Sequence, residues 1–401
     1  MRKILFVMVA ALAFVACEKD YQSVIEKTDL ETVVHNNKVS LKQALLYAEN
    51  SINGINPTTR SAERKVKSTE IYVAKPATRS AEDTEVSFYL INYEDNEGFA
   101  MVSTDSRATP VYAYSDEGNL TPYDLENNPG LQIFMEGSIE NYQNEVASPR
   151  MPQDPINRPD SIVTELPLPT VVYNGEVYYL RTTFEDIEKE PLLTTYWHQN
   201  APYGNSCPGG VAGCGPIAAA QIMAYHRHPT QFYDHTFNWD VITNGTPAGN
   251  TAAAELIHIF GDTAGIEYEN GITGTTIYHL RNTIWFFSYN CSEPISYDIE
   301  RVIENIDNNQ PVIMSGYNSE AGHAWVIDGY ERRNAVDTYY YLDAPTVVYD
   351  TRVTAVATYF HCNLGWGPDY NSYYNNGYFN ANSFLHNNNL MGVYDITPNN
   401  N

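Results

Sequence analysis

Residues 212–226 read Ala212-Gly213-Cys214-Gly215-Pro216-Ile217-Ala218-Ala219-Ala220-Gln221-Ile222-Met223-Ala224-Tyr225-His226, a turn of small residues that leads into an apolar helix. Cys214 stands where the turn meets the helix. The free N–H groups and the dipole of a helix start favour negative charge, so a thiol at this position is shifted toward its reactive thiolate. The pattern therefore predicts a nucleophilic cysteine in the first turn of a helix.

A histidine that can act as its base follows further along the chain. The segment Gly322-His323-Ala324-Trp325-Val326-Ile327-Asp328 predicts a buried strand with His323 at its mouth. Such a histidine can dock against a thiolate from a second structural layer and accept its proton. We expect Asp328, in the same segment, to have a structural role.

Three more residues have side chains that suit this chemistry. Gln199 lies in a loop before Cys214, and its amide can donate to an oxygen that becomes negative when a thiolate attacks a carbonyl. In His361-Cys362-Asn363-Leu364-Gly365-Trp366-Gly367, the Asn363 carbonyl can hold the far ring nitrogen of a catalytic histidine, and Trp366 can shield that bond from water. Taken singly, each of the three is also typical of packing or of a solvated loop.

Length, charge and proline content indicate the domain organisation and exclude some classes of partner. With 401 residues the chain is longer than a typical domain, which predicts two units. Its 23 basic and 49 acidic residues give a formal charge of −26, which argues against nucleic acid and anionic lipid as partners. A proline-rich linker at 148–170 separates a first unit, 18–147, from a second, 171–401.

The first 17 residues have the pattern of a signal peptide. Arg2 and Lys3 precede an apolar run, Ile4 to Val15, that is too short for a stable membrane span. The run closes on Phe14-Val15-Ala16-Cys17, which resembles a bacterial lipobox. The resemblance implies export, cleavage before Cys17 and a lipid anchor on its sulfur, at an outer membrane or cell surface. Ordinary secretion is the alternative.

The first unit shows mixed α and β signals. The capping box Ser40-Leu41-Lys42-Gln43 predicts the start of a helix. Strands are predicted from Ser87 to Tyr93, from Phe99 to Ser103 and from Val111 to Tyr114, and a helix is predicted from Leu131 to Val146.

The cysteines allow two structural alternatives. Without Cys17 an even set is left, Cys207, Cys214, Cys291 and Cys362, which permits two disulfides in an exported chain. A zinc site from Cys207, Cys214, His226 and His228 is a further alternative, although the usual paired spacings are absent. His226 and His228 also suit the end of a helix, where imidazole can satisfy terminal carbonyls.

In the order Gln, Cys, His and Asn-x-Gly-Trp-Gly, the chain resembles the papain-like cysteine peptidases, and the streptopain family most closely. The resemblance implies an α+β fold in which a helical layer carries the cysteine and an antiparallel sheet carries the histidine, preceded by a smaller α+β inhibitory propeptide. It implies Cys214 as nucleophile, His323 as base, Gln199 as oxyanion donor and Trp366 as shielding indole. Neither a metal nor an organic cofactor is required. Proteins or peptides are the implied substrates, and the propeptide is the implied inhibitor.

The chain departs from the family pattern in two places. Leu364 stands where the family commonly has Trp, and Gly215-Pro216 replaces Val-Ala after the cysteine. The same dyad would also serve an acyltransferase with an amine acceptor, and an inert binding or inhibitor protein is the alternative of another class. For a zymogen, the segment from Ser148 to Arg181 is the expected maturation region, with Arg150, Arg158 and Arg181 as basic cut points.

Overall fold

The computed structural model describes residues 37–52, 64–74, 85–147, 170–173, 176–269, 272–317, 322–344, 346–376 and 390–399. The predicted signal peptide and residues 148–169 of the predicted linker lie outside these ranges. None of the helices within them is long and apolar enough to cross a membrane.

The described residues form an α+β structure. Its helices are α1 Leu41–Ile52, α2 Pro122–Asn127, α3 Pro129–Ala147, α4 Cys214–His226, α5 Trp239–Ile242, α6 Pro247–Thr263, α7 Ile277–Phe286 and α8 Ile299–Asp307. Its strands are β1 Val66–Ala74, β2 Val86–Tyr93, β3 Phe99–Ser103, β4 Val111–Ser115, β5 Thr170–Tyr173, β6 Glu176–Lys189, β7 Gln231–Phe232, β8 His235–Thr236, β9 Glu267–Glu269, β10 Ile272–Gly274, β11 Tyr289–Asn290, β12 Ile295–Ser296, β13 Val312–Tyr317, β14 Gly322–Tyr341, β15 Val348–Asn363, β16 Ser372–Asn375, β17 Met391–Val393 and β18 Thr397–Pro398.

A 12-stranded sheet runs through both halves of the chain, the first up to residue 147 and the second from residue 170. Ten of its strands follow the order β1-β2-β3-β4-β16-β15-β14-β13-β17-β12, and the other two branch from it, because β6 pairs with β14 and β5 pairs with β6. The two halves meet where β4 pairs antiparallel with β16, with Tyr114 opposite Tyr373. On one side, the long strand β14 pairs with β13 along its first part and with β6 along its last part. On its other side it pairs with β15. The first half of the chain therefore shares one hydrogen-bonded ladder with the second.

Alternation along β14 assigns its side chains to two different cores. Trp325 and Ile327 belong to the core that includes residues of α3, whereas Ala324 and Val326 belong to the core around α4. Successive strand residues point to opposite faces, so one strand serves both helical layers. Helix α4 is buried along almost its whole length, as expected for a helix that is apolar on every side.

The predicted elements of the first half are confirmed. The capping box forms as expected, because the Gln43 N–H donates to Ser40 Oγ at 3.3 Å and the Ser40 N–H donates to Gln43 Oε1 at 3.1 Å. Helix α1 covers one face of β2–β4 through Ala44 and Ala48, and α3 covers the other. Strand β1 and helix α2 are not among the elements predicted from the sequence.

Arg181 is a poor cut point, contrary to the sequence-based expectation. It lies inside β6 and pairs with Thr338 of β14. A protease cleft takes an extended segment that is free of other backbone partners, so cleavage at Arg181 requires β6 to leave the sheet.

Candidate active site

Cys214 is the first residue of α4, as the sequence predicts. Gly213 precedes it with φ +86°, a left-handed conformation that side chains rarely adopt and that lets the chain turn sharply into the helix. The Ala324 N–H donates to Cys214 Sγ at 3.4 Å. Burial acts to raise the pKa of the Cys214 thiol, but the charge and hydrogen bond of His323 and the N–H groups of Ala324 and Gly215 outweigh burial and lower the pKa below its ordinary value.

His323 is the second residue of β14, and only 4% of its surface is exposed. Its Nε2 lies 2.8 Å from the carbonyl oxygen of Leu364. A carbonyl can only accept, so Nε2 carries a proton in this pair. In a neutral imidazole the lone pair is then on Nδ1, the nitrogen that is left for the hydrogen bond with Cys214.

Asn363 does not hold the histidine ring, which corrects the expectation from the sequence. The acceptor for His323 is the backbone of the next residue, Leu364. Asn363 lies directly opposite Val326 in the β14–β15 register and therefore shares the α4 face with it. His323 stacks along Trp325, on the opposite face, with ring centroids 6.3 Å apart. Asn363 and His323 thus point to opposite faces of the sheet, which keeps the amide of one away from the imidazole of the other.

The Asn363 side chain instead joins a buried amide network with Gln221 of α4. Gln221 Nε2 donates to Asn363 Oδ1 at 3.0 Å, and Asn363 Nδ2 donates to Gln221 Oε1 at 3.2 Å. Asn363 Nδ2 also donates to the Thr195 carbonyl at 3.0 Å, and the Gly365 N–H donates to Asn363 Oδ1 at 3.1 Å. Gln221 is not among the site residues predicted from the sequence. Its place seven residues after Cys214, on the same side of the helix, was the available signal.

The loops of Gln199 and Trp366 come together beside this centre. His198 forms an antiparallel bridge with Trp366, and the carbonyl of Gln199 accepts the Ala212 N–H at 2.8 Å, two residues before Cys214. The Trp366 indole lies next to His323, with ring centroids 6.4 Å apart and 25° between the planes. All five predicted site residues are thus on segments that meet at one end of α4.

The start of α3, in the first half of the chain, covers this centre. A Cβ atom built on Gly130 would lie 2.9 Å from His323 Cδ2 and 3.2 Å from Nε2. Asn128 caps the helix there, because its Oδ1 accepts the N–H groups of Gly130 at 2.9 Å and Leu131 at 3.2 Å. The sequence Asn128-Pro129-Gly130 carried a helix-start signal, but only tertiary packing brings it to His323.

The two structural alternatives for the cysteines do not hold. Cys207, Cys214, Cys291 and Cys362 are all free thiols. His226 ends the helix that Cys214 begins, which separates the two by about 18 Å along the axis at 1.5 Å per residue, too far for a shared zinc ion. No group of three His, Cys, Asp or Glu residues in the described ranges could hold a metal ion.

Comparisons with known proteins show which families the two parts of the chain resemble. Residues 197–374 match the Peptidase C10 family, and residues 36–146 match the family described as Spi protease inhibitor. Streptopain of Streptococcus pyogenes is 24% identical over 347 residues, covering 73% of this chain and 77% of its own length. The thiol protease/hemagglutinin PrtT of Porphyromonas gingivalis is 20% identical over 340 residues, covering 73% of this chain and 36% of its own length.

A solved structure shows the same fold. The chain aligns with a cysteine-to-alanine mutant fragment of prointerpain A from Prevotella intermedia, with a TM-score of 0.53 and 20% identity. The alignment covers 82% of this chain and 98% of that fragment. The predicted α+β architecture is thereby confirmed.

Proposed function

The chain is a streptopain-like cysteine peptidase of the C10 family with an N-terminal inhibitory propeptide, and we propose that Cys214 and His323 are its nucleophile and its general base. One observation carries the proposal: the thiol at the start of α4 meets both the His323 ring and the Ala324 N–H, and its pKa is lowered although burial acts to raise it. A thiol in such surroundings is activated for attack.

The reaction is the hydrolysis of a peptide bond through an acyl-enzyme. His323 Nδ1 takes the thiol proton, and Cys214 Sγ attacks the peptide carbonyl. The Cys214 backbone N–H and the Gln199 side-chain amide stabilise the oxyanion. His323 then protonates the leaving amine and afterwards deprotonates the water that hydrolyses the acyl-enzyme. The Leu364 carbonyl keeps the proton on Nε2 through each step, and the Trp366 indole shields the ring.

Replacing the nucleophile tests this proposal. We expect Cys214→Ser to reduce turnover of a peptide substrate by about 10⁴-fold or more, because nucleophile and base act as a unit. Cys291→Ser is the matched control, since Cys291 is a free, half-buried thiol just after β11 and not on α4. Near-normal turnover by Cys214→Ser would refute the assignment of the nucleophile.

The precursor is a zymogen, and we infer that residues 128–130 are the part of the propeptide that inhibits. The contact of Gly130 with the His323 ring supports this inference. A Cys214→Ser precursor should stay full length alone and be cut between residues 148 and 169, where Arg150 and Arg158 are the basic residues, when a trace of active enzyme is added. N-terminal sequencing locates the cut. A full-length precursor as active as its processed form would refute inhibition by the propeptide.

We also propose that the chain is exported and anchored by a lipid on Cys17. The support is the sequence alone: a basic start, the apolar run Ile4–Val15 and Cys17 at its end. In bacteria that express the full chain, labelled fatty acid should be incorporated into the wild type and not into Cys17→Ala. An unlabelled wild type that appears in the medium from the start would favour ordinary secretion.

A further inference from the structure

Gln221 connects three segments of the site through its side-chain amide. It is fully buried, with 0% of its surface exposed, in the second turn of α4 after Cys214. Its Oε1 accepts the backbone N–H of Trp197 at 3.1 Å, at the base of the loop that carries Gln199. The same side chain forms the reciprocal pair with Asn363, one residue before the carbonyl that accepts the proton of His323 Nε2.

The Asn363 end of this network fixes the position of the Leu364 carbonyl, which accepts the hydrogen bond from His323. The Gly365 N–H donates to Asn363 Oδ1 at 3.1 Å, which closes a tight turn around Leu364. The Leu364 N–H donates to Asn371 Oδ1 at 3.2 Å, so the peptide groups on both sides of Leu364 are held. Gly365 has φ +71°, and a Cβ there would lie 3.0 Å from Ile217 of α4. The Leu364 carbonyl therefore has little freedom as long as Asn363 stays bonded to α4.

We propose that Gln221 is a positioning residue that holds the Gln199 loop and the Leu364 carbonyl in register with Cys214. The inference rests on the proposed roles of Cys214, His323 and Gln199. Gln221 touches neither substrate nor reacting atoms, and it acts through the Trp197 N–H and the Asn363 amide. Because these contacts orient the oxyanion donor and the proton acceptor of the imidazole, their loss affects the transition state more than substrate binding.

The test compares Gln221→Met with a matched variant. Methionine keeps an unbranched chain of similar length and removes all hydrogen bonding by the amide. Asn305→Leu is the control, because Asn305 is a buried amide on α8 that is hydrogen-bonded to Arg301 and Asp395, away from the site. Each full-length precursor is processed by a tagged trace of wild-type enzyme that is then removed. Competent sites are counted by stoichiometric alkylation of Cys214, so that misfolded protein is left out of the enzyme concentration from which kcat is calculated.

We expect Gln221→Met to lower kcat per competent site by about 10²-fold, with KM within about twofold of the wild type. Asn305→Leu should lower the melting temperature and leave kcat per site unchanged. The double variant Gln221→Met/Asn363→Leu should lower kcat by less than the two single variants combined, because both remove the same pair. The exchange Gln221→Asn/Asn363→Gln, which restores an amide pair, should recover part of the kcat lost by Gln221→Asn.

Two results would overturn the inference. One is a Gln221→Met enzyme with normal kcat per site. The other is an exchange variant that folds as stably as Gln221→Asn and recovers no kcat. If Gln221→Met does not fold, Gln221→Asn and the exchange variant decide. Failure of the inference is distinct from failure of the proposed function: in the former case Cys214→Ser is still inactive, and in the latter Cys214→Ser itself retains turnover.

Discussion

Replacing Gly130 with alanine should weaken the inhibition of the precursor. Gly130 lies in the first turn of α3, and its missing side chain lets the helix approach the His323 ring. A Cβ atom at this position would lie 2.9 Å from Cδ2, whereas carbon atoms pack best at about 3.5–4.0 Å. The helix start or the ring must therefore move by about 0.6 Å or more.

The size of the effect follows from the cost of an extra methyl group in a packed site. Such overpacking costs about 1–3 kcal/mol. If α3 retreats, the covered state loses that amount relative to the open state, which raises the open population about 5- to 150-fold. Alanine is a better helix former than glycine by up to about 1 kcal/mol, an effect that opposes opening. An increased open population can therefore not be attributed to a weakened helix.

Alkylation of Cys214 in the intact precursor measures this population. Full-length wild type and Gly130→Ala are exposed to iodoacetamide for short times, and the labelled fraction of uncut chains is read by mass spectrometry. Gly274→Ala is the control, because a Cβ at Gly274 meets nothing within 4 Å. We expect Gly130→Ala to be labelled faster than the wild type and Gly274→Ala, and Gly130→Val to be labelled faster still. Equal labelling rates for all variants would refute the idea that residues 128–130 limit access to the thiol.

Three further outcomes are expected. Because the pKa of Cys214 is lowered, its thiolate persists at a lower pH than that of an ordinary thiol. The processed enzyme should therefore react with iodoacetamide near pH 5 to 6, where a thiol with a pKa of about 8.5 is protonated. His323→Ala should abolish this reaction. Leu364→Ala should lower stability by about 2–5 kcal/mol and keep kcat per competent site, since His323 uses only the backbone carbonyl; a large loss of kcat would contradict that role. Tyr114→Phe removes a hydroxyl that donates to the buried Glu331 across the two halves. The free energy of unfolding of the precursor, measured with denaturant, should fall by about 1–3 kcal/mol. The stability of enzyme processed to remove residues 18–147 should be unchanged.

Local signals in the sequence were sufficient for much of the fold. The capping box at Ser40 and the two apolar runs of β2 and β3 on either side of a turn depend on neighbours a few residues apart, and the structure has both. The missed strand β1 shows why such signals fail elsewhere. Its residues are exposed on both faces except near the end, so no alternation of polar and apolar residues marks it, and its pairing with β2 alone makes it a strand.

The site residues could be predicted where the residue type and its neighbours in the sequence indicate the role. A cysteine after Gly213 and a histidine at the start of a strand have local signals, whereas the role of Asn363 depends on which face of β15 it occupies. That face is set by the register with β14, which a single sequence does not contain. The contact between Gly130 and His323 likewise depends on the packing of α3 against the sheet.

The shared ladder has a consequence for the solubility of the processed enzyme. In the precursor β16 is an interior strand, with β15 on one side and β4 on the other. Loss of β4 turns it into an edge strand, whose unpaired peptide groups can recruit another chain. The same loss uncovers the Tyr373 ring, which stacks on Tyr114 in the precursor. At four residues, β16 is short, which limits self-association through this edge. We therefore expect the processed enzyme to self-associate more readily than the precursor, through the free edge of β16 and the exposed Tyr373 ring.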